Sequence, residues 1–193
     1  MLCPKDRKTP LTLGNLNPEL AVYCCPDCEG QWIPLTPYEK WQAQNPHLAD
    51  PDPSRCREGL TEDFQVPESD VKAALCPECK HYLSRAKVSL SNSNHESSAF
   101  YVERCPNCSG IWCDRGEWSV LERLGWHGAI PHLFTPEWQA RVRKYEMEDQ
   151  ERGAIVDKLG DELAQQVFQL ASILEKHPNG DFAVAYLMRR FEQ

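Results

Sequence analysis

The sequence predicts a small α+β protein: two β-hairpins with cysteine knuckles, each followed by a helix, and a helical C-terminal region. Three observations carry this expectation. Most of the ten cysteines open or close Cys-Pro turns. Two stretches repeat each other, "YCCPDCEGQW" at 23–32 and "ERCPNCSGIW" at 103–112. The last third places Leu163, Val167, Leu170 and Leu174 at helical spacing, the signature of an amphipathic helix.

The first repeat covers residues 1–45. Its "CPKD" at 3–6 precedes a short hairpin, "TPLTL" and "ELAVY" around "GNLNP". After the Cys25–Cys28 turn, Thr36-Pro37-Tyr38-Glu39 reads as N-cap, first-turn proline and N3 glutamate of a helix. Residues 46–75 carry Pro46, Pro51, Pro53 and Pro67 among many acids, which marks a linker or an irregular covering segment. The second repeat covers 76–125. Its "CPEC" precedes strands in "HYLSRAKVSL" and "SAFYVERC", with "SNSNHESS" as their loop. Asp114 and Glu117 then stand at capping-box spacing. In the helical region, 126–193, Thr135 caps and Pro136 opens one helix, a second follows from Asp161, and Pro178-Asn179-Gly180-Asp181 turns into a short closing helix.

Composition narrows the function classes. The net charge is −8, and no segment has a basic excess, so tight binding to a nucleic-acid backbone is disfavoured. No apolar stretch approaches the ~20 residues of a membrane span. The N-terminus lacks an apolar signal core. A cytoplasmic, reducing setting is therefore expected, where disulfides are rare.

Paired Cys-x-x-Cys turns at the ends of a hairpin bring four sulfurs to one point, and thiolates in a tetrahedron suit zinc. Cys76, Cys79, Cys105 and Cys108 form one such set. Their separation exceeds the commonest spacing, and the polar loop at 91–98 accounts for the excess. Gly110, two past Cys108, is expected to supply a positive φ as the backbone curls round the ion. In the first repeat Cys3, Cys25 and Cys28 fill three matching positions, and Asp6 stands where the second repeat has Cys79. Asp6 is the expected fourth ligand, and two zinc ions per chain follow. A degenerate first repeat without metal is the alternative.

The remaining candidates are weak. Redox Cys-x-x-Cys motifs open a helix within a βαβ unit, whereas these pairs sit beside hairpins. Cys24, Cys56 and Cys113 are expected as buried or free thiols. The histidines are scattered, and His127 and His132 are expected to pack or cap. Asp114 and Glu117 are assigned to capping, which leaves Arg115 for an ion pair or a partner. The tryptophans after the knuckles, Trp32 and Trp112, most simply cover the metal sites; an exposed tryptophan cluster for a partner is the alternative. No nucleophile elbow, phosphate loop or His-Glu-x-x-His pattern occurs.

The stretch "CPEC…CPNCSGIWCDRGEWSVLERL" resembles the small bacterial zinc ribbons called transcription factor IIB-type zinc-binding domains. The resemblance implies that Cys76, Cys79, Cys105 and Cys108 are zinc ligands. The first repeat resembles the same pattern at Cys3, Cys25, Cys28, Gly30 and Trp32, and departs from it at Asp6 and in "PLTPYE". The expectation is a tandem zinc ribbon without catalytic residues, an adaptor or regulator acting on protein. The alternatives are a nucleic-acid or transcription-machinery binder and a thiol-redox or zinc-sensing protein.

Overall fold

In a computed structural model of the chain, which describes residues 1–48, 51–52, 54–55, 64–91 and 97–191, six strands form one antiparallel sheet. They are β1 (Thr12–Asn17), β2 (Leu20–Cys24), β3 (Gln31–Ile33), β4 (Ser84–Ser91), β5 (Ser97–Arg104) and β6 (Ile111–Cys113). The order across the sheet is β1-β2-β3-β6-β5-β4. Each half therefore contributes three strands, and the halves join where β3 pairs with β6, Trp32 opposite Trp112. Helix α1 (Leu35–Gln44) follows β3, and α2 (Glu117–Leu124) follows β6.

The strands β3 and β6 are absent from the sequence expectation. Three residues are too few for a period-2 pattern to register. The first hairpin also runs further than expected. Gly14 pairs with Val22 and Asn15 with Ala21, so "GNLN" belongs to β1, with a bulge between Asn15 and Asn17.

Alternation along the strands separates two cores. On one face Leu20, Val22, Ile33, Ala86, Val88, Phe100, Val102, Ile111 and Cys113 pack with α1, α2 and residues 130–142. Trp118, Trp126 and Trp138 lie in this core, with Trp126 and Trp138 edge to face. On the other face Trp32 and Trp112 pack with Cys3, Cys25, Cys76 and Cys105. All six tryptophans are buried, which overturns the alternative of an exposed tryptophan cluster. The covering segment contributes Phe64, edge to face on Phe100, and the buried Asp70 and Ala74. The hairpin loop at 92–96 and Cys56 lie outside the described residues.

Helix starts differ from expectation in detail. α1 begins at Leu35 behind an extended Pro34, with no side-chain cap. Thr36 and Pro37 therefore sit inside its first turn, where a missing N–H costs nothing. The Thr135 cap forms as expected: its hydroxyl accepts from the Trp138 amide at 3.3 Å, ahead of α3 (Pro136–Leu159).

The chain divides into two compact units, Met1–Val142 and Arg143–Gln193. The second contains the rest of α3, with α4 (Asp161–Lys176) and α5 (Gly180–Phe191). Within it α4 and α5 pair, and Arg152 stacks on Phe168 at 3.9 Å. Within the first unit the start of α3 buries Trp138 and Val142. Leu163, Val167, Leu170, Ile173, Leu187 and Met188 are exposed. Among the described residues no helix is long and apolar enough to cross a membrane.

Glycine is required at the join between the halves. A Cβ on Gly110 would lie 2.2 Å from the Trp32 ring, and one on Gly30 would lie 2.2 Å from the Trp112 ring. Replacing Gly110 with alanine should therefore cost about 1–3 kcal/mol by overpacking. Chemical denaturation of the variant should give a lower midpoint for the unit; an unchanged midpoint would contradict the interlock.

Candidate metal centre

Four Cys-Pro turns share one backbone conformation. In each, the first cysteine's carbonyl accepts from the amide four residues on: Arg7 to Cys3, Glu29 to Cys25, Lys80 to Cys76 and Ser109 to Cys105. Each cysteine amide donates forward in turn, to Thr9, Gly30, His81 and Gly110 carbonyls. The residue that closes each turn is left-handed, with φ of 62° at Arg7, 58° at Glu29, 64° at Lys80 and 60° at Ser109. This corrects the expectation for Gly110, since Ser109 carries the positive φ. Gly110 is glycine because Trp32 occupies the space of its side chain. A left-handed non-glycine residue costs roughly 1–2 kcal/mol, so all four turns need a compensating interaction.

The turns place sulfurs together as the spacing predicts. Cys76, Cys79, Cys105 and Cys108 lie with all four Sγ within 4.8 Å of one another. Cys76 and Cys108 are 3.5 Å apart, and Cys79 and Cys105 are 3.4 Å apart. A tetrahedron with Zn–S arms of ~2.3 Å has edges of roughly 3.8 Å, so the sulfurs already sit near coordination spacing. They are far outside disulfide bonding distance, and the cysteines are free. The amides of Cys79 and Cys108 point at Cys76 and Cys105 Sγ, at 3.4 and 3.5 Å. The pairs lead into strands rather than opening a helix, unlike a redox dithiol.

The first cluster holds Cys3, Cys25 and Cys28, with Cys3 and Cys28 Sγ 3.7 Å apart. Asp6, the expected fourth ligand, is not among the gathered atoms. Its exposed carboxylate accepts from the amides of Lys8 and Thr9 at 2.8 and 3.0 Å and from the Thr9 hydroxyl at 2.6 Å. These bonds, led by the Thr9 hydroxyl, hold its pKa down at about 2. An aspartate can satisfy its own turn in this way, and the matching Cys79 accepts from the His81 amide in the same sense. The backbone of the turn is nevertheless that of the cysteine turns.

Protonation follows the crowding. Cys3 is lowered to about 6, chiefly by the hydrogen bond from Cys28, whose own thiol is pushed up. Cys79 is lowered to about 5, first by the His81 amide. Burial pushes Cys76 up to about 11 and raises Cys108. Without a cation, these thiols share protons; with one, all can be thiolates.

Beside the clusters runs a buried charge network that the sequence did not suggest. Lys5, its side chain 2% exposed, donates to Glu103 at 2.6 Å and pairs with Asp114 at 3.1 Å. Burial opposes its charge, but Glu103 and Asp114 outweigh it and raise its pKa. Arg85 donates to the Asp70 carbonyl, and its guanidinium lies 3.5 Å from the Asp70 carboxylate and 3.6 Å from Glu103. Burial raises Asp70, pushes Glu103 up to about 7, and lifts Glu117 well above the usual range. Asp70, Asp114 and Glu117 bring carboxylate oxygens within 4.8 Å of one another; Lys5 pairs with Asp114 and Arg85 with Asp70. The expected capping box does not cap α2, whose N-cap is the left-handed Gly116 with no side-chain cap bond. Glu117 accepts from the Asp114 amide at 2.8 Å, while Asp114 accepts instead from the Trp112 indole at 3.0 Å.

The other candidates fall to packing. Cys24 and Cys113 belong to the opposite core. His127 is buried between Trp41 and Trp118, and burial lowers its pKa. Arg115 pairs with Glu29 at 3.6 Å on the surface, an interaction worth little. No protein-family model matches the chain, and no curated protein or solved structure matches it.

Loss of one sulfur from the four-cysteine cluster leaves a set that cannot close. The variant Cys105→Ser should lose metal from that centre and unfold the second half of the sheet, whereas Cys24→Ser should keep both. Elemental analysis and far-ultraviolet circular dichroism check this; unchanged metal and spectrum in Cys105→Ser would refute it.

Proposed function

We propose that this chain is a zinc-binding, non-enzymatic module for protein interaction or regulation, in which two sulfur clusters hold two zinc ions as structural clamps. The observation that carries this is the closed set of four mutually adjacent sulfurs at Cys76, Cys79, Cys105 and Cys108. Four thiolates fill a tetrahedron and leave no corner for a water or substrate, as a catalytic zinc would need. Soft sulfur donors favour zinc over hard cations. The motif's resemblance to bacterial transcription factor IIB-type zinc ribbons supports the same reading of these four residues.

At the first cluster Asp6 supplies the fourth ligand, turning from Lys8 and Thr9 to the ion. Its turn has the cysteine-turn backbone, which supports this assignment. Carboxylate is a weaker soft-metal donor than thiolate, so Asp6→Ala should lower zinc content from near two to near one per chain, and Asp6→Cys should tighten the site. Competition with a chromogenic chelator measures both; a two-zinc Asp6→Ala chain would remove Asp6 from the ligand set.

Zinc competes with protons for thiolates. Metal affinity therefore falls as pH drops, and release is expected on acidification as the thiolates are protonated. Zinc content that did not change with pH would argue against thiolate coordination.

The partner is proposed to be protein. The exposed apolar side chains of α4 and α5 suit a protein surface, and the net charge of −8 opposes nucleic acid. Gel shifts at two salt concentrations separate the two. Negligible binding is expected, and steeply salt-sensitive binding would favour the nucleic-acid alternative.

A further inference from the structure

The two sulfur clusters belong to one apolar cluster, with Trp32 and Trp112 between them. Each tryptophan leaves its own half and reaches the other's knuckle. Trp32 lies where a Gly110 side chain would be, and its indole donates to Glu78 at 3.0 Å, inside the Cys76–Cys79 turn. Trp112 lies against Gly30, and its indole donates to Asp114, the carboxylate that pairs with Lys5. Lys5 stands between Cys3 and Asp6, the same place that Glu78 holds between Cys76 and Cys79. Its ammonium bonds Glu103, two residues before Cys105, and the Lys72 carbonyl.

We propose that the two clusters bind zinc cooperatively, with Lys5 as the residue that links them. The proposal rests on the two-zinc reading above and adds a regulation to it. An ion on Cys3, Cys25 and Cys28 fixes the turn that carries Lys5. When that turn loosens, Lys5 leaves Asp114 buried without a cation and Glu103 with Arg85 alone, which is strongly unfavourable. The cost falls on β5 and β6, the strands that flank the turn carrying Cys105 and Cys108. Linkage makes the effect reciprocal, so an ion at the second cluster strengthens the first by the same factor. The chain would then switch between empty and doubly loaded states over a narrow range of zinc.

The test is native mass spectrometry of the full chain, stripped by chelator and given one equivalent of zinc. Independent sites, equal or unequal, place about half or more of the chains in the one-zinc state. The expected result is clearly less than half, with empty and two-zinc chains dominating. The Lys5→Met variant should raise the one-zinc share at least about twofold, within the usual range of coupling between sites. Should it fail to fold, the double variant Lys5→Met/Asp114→Asn removes the cation together with the carboxylate that has no other, leaving Glu103 to Arg85, a change that buried pairs tolerate better, and should do the same. A wild-type one-zinc share of half or more, or an unchanged share in the folded variant, overturns the coupling while leaving two-zinc binding intact. Saturation at one zinc or none overturns the two-zinc reading itself, and the coupling with it.

Discussion

The structure depends on the pairing of β3 with β6, and that pairing depends on two glycines. Trp32 and Trp112 stand opposite each other across the join, and each ring occupies the volume of a side chain that Gly110 or Gly30 lacks. Short strands of three residues contribute few backbone bonds. What holds the six-stranded sheet together is the burial of two large rings on one face and of Ile33, Ile111 and Cys113 on the other. A fully buried tryptophan typically contributes about 3–5 kcal/mol against truncation. The interlock thus turns two small cysteine hairpins, each too small for a core of its own, into one unit.

The same join determines where charge can be buried. Glu103 and Asp114 sit on the tryptophan face, where apolar neighbours exclude water, and Lys5 arrives from a turn about a hundred residues earlier in the chain to balance them. A buried pair of this kind adds little net stability over an apolar substitute, but losing one member is costly. Through it the Cys3 turn is joined to Glu103 at the end of β5 and to Asp114 just after β6. Asp114 accordingly serves Trp112 and Lys5, while Gly116 takes the N-cap position of α2.

The C-terminal helices obey a different logic. α3 begins by burying Trp138 and Val142 in the larger core, and beyond Val142 the apolar stripes of α4 and α5 are exposed. Their helical pattern is the one that amphipathic helices use to bury a face.

The sequence by itself determined the sulfur clusters. Cysteine pairs joined by one turn are local, and two turns at the ends of a hairpin meet whatever else the chain does, so Cys76, Cys79, Cys105 and Cys108 were legible. So were β4, β5, the helices after Thr135 and the packing role of His127, each resting on near-neighbour pattern. Asp6 matches Cys79 by position, and its carboxylate accepts from Lys8 and Thr9 in its own turn. Only the tertiary structure decided the β3–β6 join, the reason for Gly30 and Gly110, and the Lys5 network. Those features are contacts between residues far apart in the chain, and nothing in local periodicity or spacing records which distant side chain will fill a given space or answer a given charge.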